Sequence, residues 1–357
     1  ISDQAITVTG AITVDNSNLL AAVTSGTLTA TIDTSETVTE LATLSADGGT
    51  NDLTVVIRAA DATAATAAQL NTINDATALA VNLTNVTALA GSSLADLGTL
   101  ATAITNNQFS NATGLTTIAV TDTTIDATTL AARITSYDTI NGVGQTTDMT
   151  LASGATINVD SGEITAMLAD ETAGRLTIGD QAITVNSAGT ISVDTANLLA
   201  ATTTGVVTAT LAADSLSNLG ALTTSGTDLI TITVNDNAEA DVTSSDLSTL
   251  GGKTAGVVTV SNAVDISGTA SELTAALVTA DTLVVAGTAT ANITDEATTD
   301  IDATVLSAIG AKTSGAITVT NAIDISGTAS ELTAALVTDD TLVVAGTATA
   351  NITDEAT

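Results

Sequence analysis

TAGVVTVSNAVDISGTASELTAALVTADTLVVAGTATANITDEAT at 254–298 and TSGAITVTNAIDISGTASELTAALVTDDTLVVAGTATANITDEAT at 313–357 are near-copies set 59 residues apart. Self-similarity at a fixed period of tens of residues marks a repeat architecture, in which each unit buries its apolar face only against its neighbours. The period reaches beyond this pair. DQAITV at 3–8 returns at 180–185, three periods on, and VDNSNLLAA at 14–22 returns as VDTANLLAA at 193–201.

Within one copy, β-branched runs at 257–260 and 264–267 are followed by SELTAAL at 271–277, where Leu273 and Leu277 stand four apart among good helix formers. The scheme recurs with runs at 282–287 and 291–294 and a helical stretch at 303–310. The expected fold is therefore mainly β, a parallel β-solenoid with a short helix on one side of many coils. Each coil takes roughly 25–34 residues, so that 59 is a double-coil repeat. Residues 1–357 read as one continuous array, with diverged coils at 50–160 and the most regular repeats at 178–357. In the diverged part, 63–80 favours a helix, while 106–115 and 141–148 read as loop corners. Ile1 and Thr357 both fall inside a unit, which leads us to expect a segment of a longer chain or one protomer of an end-to-end stack.

A smaller motif sets an apolar residue before Asp and a Leu or Ile four residues after it. It occurs at Val14-Asp15, Ile125-Asp126, Val159-Asp160, Val193-Asp194 and Ile301-Asp302, with Thr243 in the Asp place after Val242. The expected geometry is a strand end entering a helix, with the Asp accepting from free N–H groups of the first turn.

Composition narrows the function classes. The chain carries 39 acidic residues against five basic ones (Arg58, Arg133, Arg175, Lys253, Lys312), a net charge of −34. That excludes the basic footprint nucleic acids require and disfavours anionic membrane surfaces. Aromatics are 1%, with no Pro, Cys, His or Trp, and Ala, Val, Ile and Leu supply an apolar content suited to a narrow stacked interior. Phe109 and Tyr137, the two aromatics, read as local plugs or surface residues. Missing Pro suits a chain with few free strand edges. No apolar run is long enough to span a bilayer, so membrane insertion is not expected.

Catalytic triads and the usual zinc sites need His or Cys, and no phosphate loop with its lysine is present, so an enzyme is not expected. Carboxylate clusters raise Ca²⁺ as a candidate ligand. TDEATTDID at 294–302 holds Asp295, Glu296, Asp300 and Asp302, and Asp354 and Glu355 repeat its start. Asp339 and Asp340 fill the matching turn of the last copy. The EF-hand loop and the GGxGxD run are both missing, and the bland alternative is helix caps on a solvated acidic face. Thr-x-Thr strands at 27–31, 208–211, 231–234 and 288–291 raise water ordering, against simple strand propensity. Asn82, Asn85, Asn111, Asn292 and Asn351 stand in glycosylation sequons, at a frequency expected in a chain rich in Asn and Thr.

ISGTASELTAALV followed by ITDEATTDIDATVLSAIGAKTSG resembles the repeats of giant Thr/Ala/Asp-rich cell-surface proteins of bacteria, of the marine cyanobacterial type. The resemblance covers 254–357 well, 1–25 and 178–205 fairly, and the middle poorly. It implies an extracellular protein tied to adhesion, surface layers or motility, with no catalytic residues to carry over. The expected function is structural: a rigid acidic rod or filament segment whose partner is itself, end to end or laterally. The alternatives are a Ca²⁺-dependent adhesin module binding a glycan or a surface, and the shaft of a phage or virus fibre.

Overall fold

A computed structural model of the chain describes residues 3–45, 50–142, 144–186, 188–279, 283–338 and 343–354. The chain divides into two compact units, Ile1–Gln181 and Ala182–Thr357.

The first unit runs β1 (Ile6–Ile12), α1 (Val14–Ala21), β2 (Leu28–Ile32), α2 (Val38–Leu41), β3 (Asp52–Thr54), α3 (Ala67–Asp75), β4 (Val81–Asn82) and β5 (Ala88–Ser92). It continues with α4 (Leu94–Thr105), β6 (Phe109–Ser110), β7 (Thr117–Val120), β8 (Thr124–Asp126), α5 (Ala127–Asn141), β9 (Asp148–Leu151), β10 (Thr156–Val159), α6 (Ile164–Thr172) and β11 (Leu176–Thr177). Its strands form parallel ladders in the orders β1-β2-β3, β4-β6, β5-β7-β9-β11 and β8-β10.

The second unit runs β12 (Ala182–Val185), α7 (Val193–Thr202), β13 (Val207–Thr210), α8 (Leu216–Leu219), β14 (Leu229–Val234), β15 (Asp241–Thr243), α9 (Ser244–Gly251), β16 (Val258–Val260) and β17 (Asp265–Gly268). There follow α10 (Ala270–Leu273), β18 (Val284–Val285), β19 (Thr290–Ile293), β20 (Asp300–Asp302), α11 (Ala303–Gly310), β21 (Ile317–Val319), β22 (Asp324–Gly327), α12 (Ala329–Leu336), β23 (Val343–Val344) and β24 (Thr349–Ile352). The parallel orders are β12-β13-β14-β16-β18, β15-β17-β19-β21-β23 and β20-β22-β24.

Period-two alternation decides which side chains point inward. Ile232 pairs with Val258 and Val258 with Val284, and Val242, Ile266, Ala291, Ile317 and Val343 form a second column. In the first unit Leu89, Ile118, Met149 and Leu176 do the same. Nearly all of these are buried. Each fully buried Val, Leu, Ile or Met among them contributes about 1.5–3 kcal/mol over an exposed side chain. Such parallel sheets are compatible with a solenoid.

The expectation of a mainly β protein is corrected: the chain is mixed α/β, with 32% helix against 27% strand. Strands are two to seven residues long, whereas α4 has 12 residues and α5 has 15. The expected coil length is also corrected. Paired residues lie between 20 apart (Ile12 and Ile32, spanning the eight-residue α1) and 32 apart (Thr124 and Thr156, spanning the 15-residue α5). Helix length absorbs the variation while strand pairing is kept. The corner expected at 106–115 contains the short strand β6.

The 59-residue repeat is not two equal turns. From β16 to β18 the order is strand, strand, helix, and paired residues lie 26 apart. The next stretch adds the extra strand β20, so that β21 pairs with β19 and not with β18.

Candidate functional site

The feature that recurs through both units is where helix N-termini find their partners. The first N–H groups of a helix lack intrahelical acceptors. One of them is satisfied locally in most helices: Thr13, Thr37, Thr66, Ser93, Ser192, Ser215, Thr243, Thr269 and Thr328 each accept from an N–H of the first turn. Thr37–Glu40, Thr66–Gln69, Thr269–Glu272 and Thr328–Glu331 are complete capping boxes.

A second N–H, that of the first helical residue, is satisfied from further along the chain. Val14 N donates to Glu36 (3.1 Å), Val38 N to Asp61 (2.7 Å), Leu94 N to Asp122 (2.8 Å) and Leu216 N to Asp236 (2.7 Å). Ala270 N donates to Asp295 (2.6 Å) and Ala329 N to Asp354 (2.7 Å), while Ser92 Oγ serves Ala67 N (2.9 Å). Each acceptor lies 20–28 residues downstream, in the following layer. The carboxylate also meets the positive end of the helix dipole.

This geometry places the candidate metal ligands. Asp295 and Asp354 are helix acceptors for the preceding layer. Asp302 caps its own helix, accepting from Thr304 N at 2.8 Å. Glu296 and Asp300 are exposed. Glu355, like Asp339 and Asp340, lies outside the described residues. Among the described residues no group of three or more acidic side chains is placed to hold a metal ion. Replacing Asp295 by Ala is expected to lower stability by about 1–2 kcal/mol. Thermal melts of both proteins with and without CaCl₂ check this. A Ca²⁺-dependent rise in the parent that the variant lacks would give Asp295 back its metal role.

The Asp motif divides in two. Asp126, Asp302 and Thr243 are N-caps as expected. Asp15 and Asp194 sit in the first turn behind the caps Thr13 and Ser192, and Asp160 lies before α6, whose N-cap position is Glu163.

A second recurrent contact closes the corner from helix to strand, where Thr-x-Gly stands at Thr24–Gly26, Thr203–Gly205, Thr254–Gly256 and Thr313–Gly315. The Thr hydroxyl accepts from the Gly N–H at 2.9, 2.9, 2.7 and 3.1 Å. Thr24, Thr254 and Thr313 also donate to carbonyls of the layer before, those of Gln4, Ile230 and Ala289. The glycines mark close approach: a Cβ at Gly26, Gly256 or Gly315 would lie 2.6 Å from the carbonyl carbon of Gln4, Ile230 or Ala289. The physical requirement at these corners is room for the neighbouring backbone.

Asparagines tie layers together as well. Asn18 donates to Thr43 O and accepts from Ser45 N, and Asn197 repeats this with Ala221 O and Thr223 N. Of the sequon residues, Asn85 donates to Ile57 O and Asn111 to Asn82. Threonines pair across strands as Thr184 with Thr208, Thr210 with Thr231 and Thr233 with Thr259, but Leu229 and Val285 interrupt the columns. Both aromatics are buried, and Tyr137 Oη donates to Leu97 O at 3.1 Å. Burial pushes the Tyr137 phenol well above its ordinary value.

Hydrogen bonds hold several exposed carboxylates below their usual range. Backbone N–H donors lead at Asp33 (from Ser35), Glu40 (Thr37) and Asp126 (Thr129), and side-chain donors lead at Asp180 (Ser153), Asp214 (Asn218) and Asp302 (Thr304). A carboxylate with a depressed native pKa stabilises the fold above its unfolded value, and that gain is lost as pH falls through the native value. Protonating the other acids relieves the repulsion of a −34 chain, which acts in the opposite sense. The urea midpoint is therefore expected to rise from pH 7 to about 4.5 as repulsion is relieved. It should then fall below the ordinary aspartate value of 3.8. A midpoint that climbs steadily to pH 2.5 would refute the stabilising role of these hydrogen bonds.

Among the described residues no helix is long and apolar enough to cross a membrane. No protein-family model matches the chain, and a search of curated proteins finds no match.

Proposed function

We propose that the chain is a structural protein, a rigid acidic solenoid segment of an extracellular, cell-surface rod or self-assembling filament. The observation that carries this reading is the use of functional-looking side chains as mortar. Carboxylates, Thr hydroxyls and Asn amides, the groups a catalyst or receptor would leave free, are hydrogen-bonded to the backbone of an adjacent layer. In a stacked array each such bond adds to a nearest-neighbour interface, so stiffness grows with the number of layers. A highly negative surface keeps such a rod from collapsing on itself and makes its lateral association respond to ionic strength.

Electron microscopy of the purified chain at low and at physiological salt tests the proposal. Rods of uniform width that join end to end or side by side as salt rises are the expected result. Compact particles that stay single at every salt concentration would overturn it.

A further inference from the structure

Five basic side chains serve a chain with 39 acids, and three of these side chains have a partner among the described residues. Arg58 pairs with Asp61 at 3.0 Å, Arg175 with Asp170 at 2.6 Å, and Lys253 donates to Gly220 O at 2.8 Å. Arg133, on α5, is the arginine that among the described residues has neither an ion pair nor a hydrogen bond, and its Nε is shielded from solvent. Its guanidinium lies against Gly98 of α4, where a Cβ would come within 2.7 Å of it. A larger residue at 98 would push the charge aside.

Arg133 forms one wall of a hollow of about 610 Å³ between the C-terminal half of α4 and α5. No acidic residue lines this hollow. Comparable hollows elsewhere carry Asp236, Asp241 and Asp246, or Asp241 and Asp265, and the one adjoining it over α3, which Arg133 and Gly98 also line, carries Asp75. Thr102, Thr105, Ser136 and Thr139 line the acid-free hollow, and each donates its hydroxyl proton to a carbonyl of its own helix at 2.8–2.9 Å. Their oxygen lone pairs therefore remain to accept. Ile104, Phe109 and Ile140 supply apolar wall.

We infer that this hollow binds an acidic sugar, a uronic acid residue of a polysaccharide. Its carboxylate would meet the unpaired Arg133 guanidinium, the bidentate match for a planar anion. Its hydroxyl groups would donate to the oxygens of Thr102, Thr105, Ser136 and Thr139, and its C–H face would rest on the apolar wall. A simple anion would use the arginine alone, and a neutral sugar would leave it unpaired.

Saturation-transfer NMR titrations of the full chain at 0.15 M NaCl with D-galacturonate, D-galactose and acetate test the site. Galacturonate is expected to bind at least tenfold more tightly than either of the others. Arg133→Gln should reduce it to the level of galactose. Ser136→Asp keeps Arg133 but sets a competing carboxylate three residues along the same helix, and should weaken galacturonate at least fivefold with an unchanged circular dichroism melt. No saturable binding by the parent, equal binding of galactose or acetate, or undiminished binding in both variants would overturn the assignment. Should Arg133→Gln fail to fold, Ser136→Asp alone decides.

Discussion

Gly256→Ala is expected to destabilise the second unit by about 2–4 kcal/mol, although it adds a single methyl group. The added Cβ would sit 2.6 Å from the carbonyl carbon of Ile230 and 3.0 Å from its nitrogen. Those atoms belong to β14, which is held by ladders on both sides, so no side-chain rotation relieves the overlap. Relief requires the corner at 254–256 to lift away, and the bond from Thr254 to Ile230 O is then lost. Gly287→Ala is the control, because a Cβ there meets nothing within 4 Å. Its urea midpoint should stay within about 0.5 kcal/mol of the parent. Equal midpoints for the two variants would show that close approach is not what the Thr-x-Gly corner requires.

Thr254→Val should cost about as much, roughly 2–4 kcal/mol, with the shape of the side chain kept. Thr254 is 2% exposed, and its Oγ1 accepts from Ile230 N at 2.8 Å and from Gly256 N at 2.7 Å. Valine fills the same space and leaves both amides buried without a partner. Thr254→Ser retains the hydroxyl and should recover most of the loss. The comparison reads the hydrogen bonds directly, since loss of a methyl group would rank serine below valine. Serine no more stable than valine by thermal melting would contradict the account.

The order of elements was legible in the repeat. The run at 257–260 contains β16, those at 264–267 and 291–294 overlap β17 and β19 to within one residue, and 303–310 is α11 to the residue. These elements depend on local alternation and on residues within a few positions, which a sequence displays. The share of helix was less legible. The boxes at Thr37, Thr66, Thr269 and Thr328 announce helices in plain sequence, but weighing them against short β-branched runs needs the tertiary packing. Asp295 shows where local reading stops. Its neighbours Glu296, Asp300 and Asp302 invite a metal, whereas its partner is an amide 25 residues upstream. Only the recurrence of an acid 20–28 residues after several of the helix starts hinted at it. One difference had no local signal at all. TAALV forms a π-helical turn at Thr274–Val278, but in the last copy TAAL belongs to the regular α12. The first copy packs against both α9 and α11, and both copies close with the same bond, from Thr279 N to Thr274 O and from Thr338 N to Thr333 O.

The downstream capping acids give the array a direction. A helix such as α10 is finished only when the stretch carrying its acceptor has been laid over it, so each newly synthesised layer completes its predecessor and waits for its successor. Peeling a layer from the C-terminal side strips an acceptor from a helix that is still folded. Peeling from the N-terminal side leaves a carboxylate free to take water instead. Under tension the two directions are therefore unequal, and a stack held this way is expected to open more readily from the side made first.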